Sequence, residues 1–387
     1  MLAACAAGVG YYLFREDPDD LLLRGEALLQ RDPARAEVFF QRSLDVSRGS
    51  APRAQLLLTQ AFARQRLWIE ALGSLGQVEA SACAPTELIA LAEFALRSDQ
   101  RLLASEALRA ALRPGPEEPA VLRPLISLCY QQGDESAALD YCDRLIEVAP
   151  RDYFPWRVRG VIHRDWQQVV EAINDNRQAL DRTPPDPIDI RRDLADLLTE
   201  TGDFAAARVQ LDLVLQSPSA NERDEVRQVT LLRWEDKPEE ALAAAEKVLA
   251  RQPGNVAARL YRGLLQLDRG DTQSARDDLV RVLDVQPAND VAHFKLAEAY
   301  LRLDKPDLAA HHQRESRRLV AEERLVSELV RQAAAEPHNA DVRWKLVRHF
   351  ESRNQKDEVA RWTSAAHAAE QAAGRHRPAA DLPPDQG

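Results

Sequence analysis

Apolar positions recur at three- and four-residue steps along most of the chain, in runs that a short polar turn interrupts before the same spacing resumes. In LLQLDRGDTQSARDDL (264–279) the break falls at Arg269-Gly270-Asp271, and the same cue stands in YQQGDESAALDY (130–141) and TETGDFAAARVQL (199–211). Such spacing predicts amphipathic helices joined in pairs by tight turns. Gly133, Gly202 and Gly270 lie 69 and 68 residues apart, close to twice 34. No β-branched run with a period of two separates the helical stripes, which excludes an alternating strand-helix chain.

Proline marks the same period. Pro116, Pro150 and Pro184 are spaced by 34, as are Pro253 and Pro287. A helix ends readily before proline and tolerates it badly inside, so a regular proline predicts a regular helix end. In the stretch 256–289, Gly263, Ala275, Leu279 and Val282 stand at the eighth, twentieth, twenty-fourth and twenty-seventh positions. The same positions hold Gly160, Ala172, Asn176 and Ala179 in 153–186, with Trp156 at the fourth, and Ile126, Ala138, Cys142 and Leu145 in 119–152.

This pattern resembles the tetratricopeptide repeat, a 34-residue helix-turn-helix in which small residues let two helices approach closely. The resemblance implies an all-α fold, a right-handed α-solenoid of about ten hairpins whose stacking makes one continuous core. Units are expected at 19–50, 51–84, 85–118, 119–152, 153–186, 187–221, 222–255, 256–289, 290–323 and 340–373. Cys83 stands where a proline is expected, and Asn176 where a bulky residue is expected. Sixteen extra residues separate the last two units, in DLAAHHQRESRRLVAEERLVSELVRQAAAE (307–336). That segment reads either as one long helix or as two broken near 311–318. Its stripe of Leu319, Val320, Val326, Leu329, Val330 and Ala333 is expected to pack on a neighbouring repeat. Residues 374–387 have the composition of a disordered tail.

The balance of 62 Asp and Glu against 51 Lys and Arg gives a net charge of −11. That argues against general nucleic-acid binding, which requires a basic face. Four cysteines are too few for a disulfide scaffold. Cys129 and Cys142 occupy inward positions of one repeat, as small buried hydrophobes or, outside a reducing compartment, as a bridge between two helices.

Residues 1–14, MLAACAAGVGYYLF, are apolar and are followed by Arg15-Glu16-Asp17. The run is shorter than the roughly 20 residues that span a bilayer. Three readings are open for the segment 1–18: part of a membrane anchor, a short interfacial anchor with Tyr11 and Tyr12 at the headgroups, or a cap on the first repeat. Leu2-Ala3-Ala4-Cys5 also matches a lipidation site weakly. The acidic flank Glu16, Asp17, Asp19 and Asp20 lacks the basic excess of a cytoplasmic loop, so an anchored chain is expected to hold its repeats outside the cytoplasm, in a bacterial periplasm or its equivalent. An unanchored chain would be cytoplasmic.

Catalytic spacing is sparse. Phosphate-loop, nucleophile-elbow, zinc-protease and calcium-loop motifs are lacking in the sequence. His311, His312 and Glu315 form a trio at helical spacing that reads as solvated surface. No cofactor and no metal site is expected, and the function anticipated is a non-enzymatic scaffold that binds peptide segments of partner proteins, with an accessory module of an enzyme or polysaccharide-secretion assembly as the alternative.

In a repeat of this kind the first helices of successive hairpins line a groove. At the fifth position stand Arg123, Arg157 and Arg192, and at the twelfth Arg164 and Arg233. With free guanidinium groups, such a row suits an acidic, carboxylate-bearing or phosphorylated peptide. Further on, Leu260, Leu264, Leu267, Phe294 and Leu301 fall at groove positions and suit an amphipathic helix. Some members of the family clamp a chaperone's C-terminal carboxylate with Lys at the fifth position and Asn at the ninth. Here the ninth position holds Ser127, Val161, Asp196, Thr230 and Leu264, so that role is disfavoured.

Overall fold

Capping side chains and first-turn prolines start the helices where the pattern predicts them. Asp32, Asp203, Asn255, Asp271 and Asn289 each accept a hydrogen bond from a backbone N–H in the first turn of the helix that follows. Proline opens α1 (Pro18–Leu28), α2 (Pro33–Val46), α3 (Pro52–Arg64) and α5 (Pro85–Arg97), where its missing N–H costs nothing. In the computed structural model, which describes residues 17–49, 51–115 and 118–376, these belong to ten consecutive helical hairpins. The remaining helices are α4 (Trp68–Leu75), α6 (Arg101–Ala111), α7 (Glu118–Gln131), α8 (Glu135–Val148), α9 (Phe154–Asp165) and α10 (Val169–Asp181). They continue with α11 (Ile188–Glu200), α12 (Phe204–Leu215), α13 (Glu222–Trp234), α14 (Pro238–Arg251), α15 (Val256–Asp268) and α16 (Thr272–Val285). The last four are α17 (Asp290–Arg302), α18 (Pro306–Ala335), α19 (Ala340–Glu351) and α20 (Lys356–His376). The described residues contain no strand, and the fold is an all-α solenoid. Pro150, Pro253 and Pro287 follow closely on the ends of α8, α14 and α16, as their spacing predicts.

Every hairpin turn from α3–α4 onwards contains a residue in the left-handed region. Gly133, Gly202 and Gly270 are three of these, and Arg66, Asp99, Gln167, Asp236, Asp304 and Asn354 are the others. The glycine cue therefore samples a backbone feature that is common to nearly all the hairpins.

The described residues form two compact units, one within 17–131 with 143–149 and the other of 132–142 with 150–376, and the division runs through α8 rather than through a linker. In the second unit the core is a series of local clusters. Ala275, Leu279 and Val282 of α16 pack with Ala292, Leu296 and Ala299 of α17 and with Leu264 and Leu267 of α15. Leu264 and Leu267 are thus core residues, 3% and 0% exposed, and are not on the groove surface where they were expected. Asn176 fills its bulky position by two means. It lies over Gly160, where an added Cβ would come within 3.1 Å of its Nδ2, and that amide donates to the Ala172 carbonyl at 2.9 Å.

The segment 307–336 forms, up to its C-cap Glu336, one 30-residue helix, α18, on the order of 45 Å long. Leu329, Val330 and Ala333 pack against Val342, Leu346, Phe350 and Trp362 of the last hairpin. The final helix reaches His376, into the stretch expected to be a tail. Residues 1–14 with Cys5, and the tail beyond 376, lie outside the described residues. Among the described residues no helix is long and apolar enough to cross a membrane.

Candidate functional site

In the second unit the first helices of consecutive hairpins touch one another, α11 on α13, α13 on α15 and α15 on α17, and so present a common face. Most of the arginines expected to line it are already engaged. Arg157 Nη1 and Arg164 Nη1 each lie 2.5 Å from a different oxygen of Asp193. Arg192 holds Asp224 through Nε at 2.9 Å and Nη2 at 2.8 Å, and donates also to Asp189 and to the Ser219 carbonyl. Asp224 is fully buried and receives Arg227 as well. Burial pushes its carboxyl upward, but the bonds from Arg192 and the Asn221 backbone prevail and hold it below the ordinary range. The expectation of free guanidinium groups therefore fails at Arg157, Arg164 and Arg192. The reason is that each faces a carboxylate from a neighbouring helix or turn. Arg123, on α7 of the first unit, is exposed. Arg233 lies with its Cζ 5.7 Å from the Trp234 ring centroid, its Nε buried without a hydrogen-bond partner among the described residues.

Beside this face lies a notch of about 630 Å³, lined by α11, the turn after it, α12, α13 and α15. Its apolar lining is Phe204, Leu211, Trp234 and Tyr261, and its polar lining includes Asp196, Thr199, Glu200, Arg227 and Thr230. Trp234 is 56% exposed although its ring stacks on Phe204, with centroids 6.4 Å apart and planes inclined by 15°. Arg227 is held by Asp196 at 2.9 Å and Asp224 at 2.9 Å. An indole this open, backed by a second ring, is a platform for a ligand side chain.

None of the notch residues was among the site candidates read from the sequence, where Asp196 and Thr230 entered only as ninth-position residues that disfavour the carboxylate clamp. Trp234 stands at the thirteenth position of 222–255, a groove-facing position of the repeat, so a signal for it was present. Of the apolar candidates, Leu260 is half-buried against the α15–α17 cluster, while Phe294 and Leu301 are 58% and 54% exposed. The structure does not bring Phe294 into the notch.

The His311–His312–Glu315 trio does not converge on one point. His312 Nδ1 lies 2.9 Å from His293 Nδ1, whereas Glu315 pairs with Arg318. No group of three or more His, Cys, Asp and Glu side chains suited to a metal ion occurs among the described residues. Cys129 and Cys142 are both fully buried.

These features define a class, the α-solenoid of helical hairpins that offers a first-helix face as its surface. Residues 89–153, 228–290 and 263–322 match the tetratricopeptide repeat, so these stretches of the chain are tetratricopeptide repeats, as the resemblance implies. A tetratricopeptide repeat protein from Parabacteroides merdae ATCC 43184 shares the fold with a TM-score of 0.50 at 16% identity, over 64% of this chain and 97% of that one. Curated relatives include sperm-associated antigen 1 of Rattus norvegicus, 24% identical over 232 residues, and of Mus musculus, 36% identical over 96 residues. Those matches take in 54% and 25% of this chain but only 25% and 10% of the relatives, so this chain corresponds to a quarter or less of their length. The fold is consistent with a protein-interaction scaffold.

Proposed function

We propose that this protein is a non-enzymatic adaptor that binds peptide segments of partner proteins on the first-helix face of its second unit, with the notch at Trp234 as the anchoring point. The observation that carries the reading is the open indole of Trp234 stacked on Phe204 above an apolar floor. A large aromatic ring is exposed on a protein surface either singly or where something covers it, and a ring that lines a notch with room for several side chains favours the second case. Ligands of repeat grooves bind by inserting a few anchor side chains, and an aromatic wall provides the contact area that such anchors need. Membrane tethering through residues 1–14, with the repeats extracytoplasmic, belongs to this proposal on the strength of the sequence, and recovery of the chain in the membrane fraction tests it.

A phage-displayed library of random octapeptides selected against the full chain tests the binding site. The selected peptides are expected to lose at least about tenfold in affinity to Trp234→Ala, the scale of an aromatic anchor contact. Peptides that bind the Trp234→Ala protein as tightly as the parent would rule the notch out.

A further inference from the structure

The arginine row suggested an acidic partner, but the notch itself has the opposite balance. Its lining carries two carboxylates, Asp196 and Glu200, and one cation, Arg227. That cation is satisfied within the chain: its Nε donates to both oxygens of Asp196 at 2.9 Å, and its Nη1 to Asp224 at 2.9 Å. Glu200 is exposed on the rim at the end of α11 and makes no hydrogen bond or ion pair with the described residues. Beside it, the exposed Trp234 ring offers a surface suited to hold a cation by its ring charge. The chain already uses that chemistry, since Arg233 rests its guanidinium 5.7 Å from the same ring centroid while more than half of the residue remains exposed.

We propose that the notch takes a lysine or arginine side chain of the partner segment, its methylene stem lying on the Trp234–Phe204 stack and its charged head reaching Glu200. This inference rests on the peptide-binding reading above and specifies its ligand. Long basic side chains suit such a site because they combine an apolar stem with a charged tip. An acidic side chain in the same place would meet Glu200, and the one further cation at the ring, Arg233, already rests against Trp234 rather than reaching into the notch lining.

The test uses fluorescein-labelled octapeptides that alternate glycine with arginine, glutamine or glutamate, titrated by fluorescence anisotropy into the full chain. The arginine probe is expected to bind at least about tenfold more tightly than the glutamine probe, the upper range of a cation over an open indole joined to one carboxylate. Trp234→Ala should abolish that preference, Glu200→Gln should weaken it, and Glu200→Lys should reverse it in favour of the glutamate probe. Raised salt should weaken only the arginine probe. Binding of the glutamine or glutamate probe that needs Trp234 and equals that of the arginine probe would overturn the cation assignment and leave the notch standing. The same holds for library-selected peptides that need Trp234 yet carry no Lys or Arg. Arginine-probe binding indifferent to Trp234 would overturn both, since a chain of net charge −11 attracts cations over its whole surface. An arginine probe that fails to bind at all overturns the assignment as well. Both altered side chains are exposed, and unchanged circular dichroism and melting confirm that the variants remain folded.

Discussion

Arg192 shows how one residue changes meaning between the chain and the fold. As the third member of a periodic row it suits an anion site, but α13 begins with Asp224 opposite it, and the two form a bidentate pair. The pair is part of a buried network, because Asp224 is fully buried and also serves Arg227 and the Asn221 backbone. Arg192→Gln is therefore expected to cost roughly 1–3 kcal/mol, since it leaves a buried carboxylate with half of its cation contacts. Thermal denaturation checks this. A loss of less than about 0.5 kcal/mol would place Arg192 among ordinary surface charges. Trp234 is the reverse case: an aromatic that belongs to no core cluster by its exposure, in a fold where most large apolar side chains are buried.

Packing between elements explains the histidines. His293, at the start of α17, donates or accepts at both ring nitrogens: Nε2 lies 3.0 Å from the Pro287 carbonyl and Nδ1 lies 2.9 Å from His312 Nδ1 on α18. A carbonyl only accepts, so His293 carries its proton on Nε2, and His312 donates from Nδ1 to the bare Nδ1 of His293. Burial, with His293 and His311 close by, lowers the pKa of His312 to about 4 from 6.5. A histidine with a depressed folded pKa stabilises the fold fully above 6.5, and that contribution is lost as the pH falls toward 4. Amide protection factors, taken against the intrinsic exchange rate at each pH, are accordingly expected to fall across this window more in α17 and α18 than in α15 and α16. His312→Gln should flatten the difference. An equal loss of protection in the two hairpins would show that His312 is not the cause.

At the scale of the second unit, the last hairpin returns to the beginning. Ser327 of α18 accepts from Gln167 at 3.1 Å, and Arg361 of α20 reaches Asp165 at 3.1 Å and Glu135 at 3.6 Å. Glu135 is buried and accepts the Trp166 indole N–H, and burial raises its carboxyl above the usual range. Gly133 sits at the closest approach: at φ +77, an added Cβ would lie 2.6 Å from the Ala365 nitrogen. Gly270 has a similar φ of +88 and open space around it. Gly270→Ala should cost about 1–2 kcal/mol from backbone strain alone. Gly133→Ala should cost that and a further 1–3 kcal/mol or so, because the clash is with backbone. The excess should appear as faster amide exchange in α20. Equal costs for the two substitutions would mean that the return contact contributes nothing to stability.

The sequence by itself determined the hairpin period, the helix ends and the family, because these depend on local chemistry repeated at a fixed interval. Proline, Asx caps and apolar stripes act within one or two turns of helix, so each unit announces itself, and even the single long α18 was one of two readings its lack of Pro and Gly allowed. The tertiary structure decided which repeated residues remain available. Whether Arg157 and Arg192 are open or neutralised depends on Asp193 and Asp224, 36 and 32 residues away in sequence and contributed by the next hairpin. Leu264 occupies a groove position in the register, yet it is buried because α16 and α17 close over it. The notch arises where α11, α12, α13 and α15 leave a gap, and no single hairpin contains it. Local pattern specifies an element from within, whereas a binding surface is what remains after neighbouring elements have satisfied one another's charges and covered one another's apolar stripes.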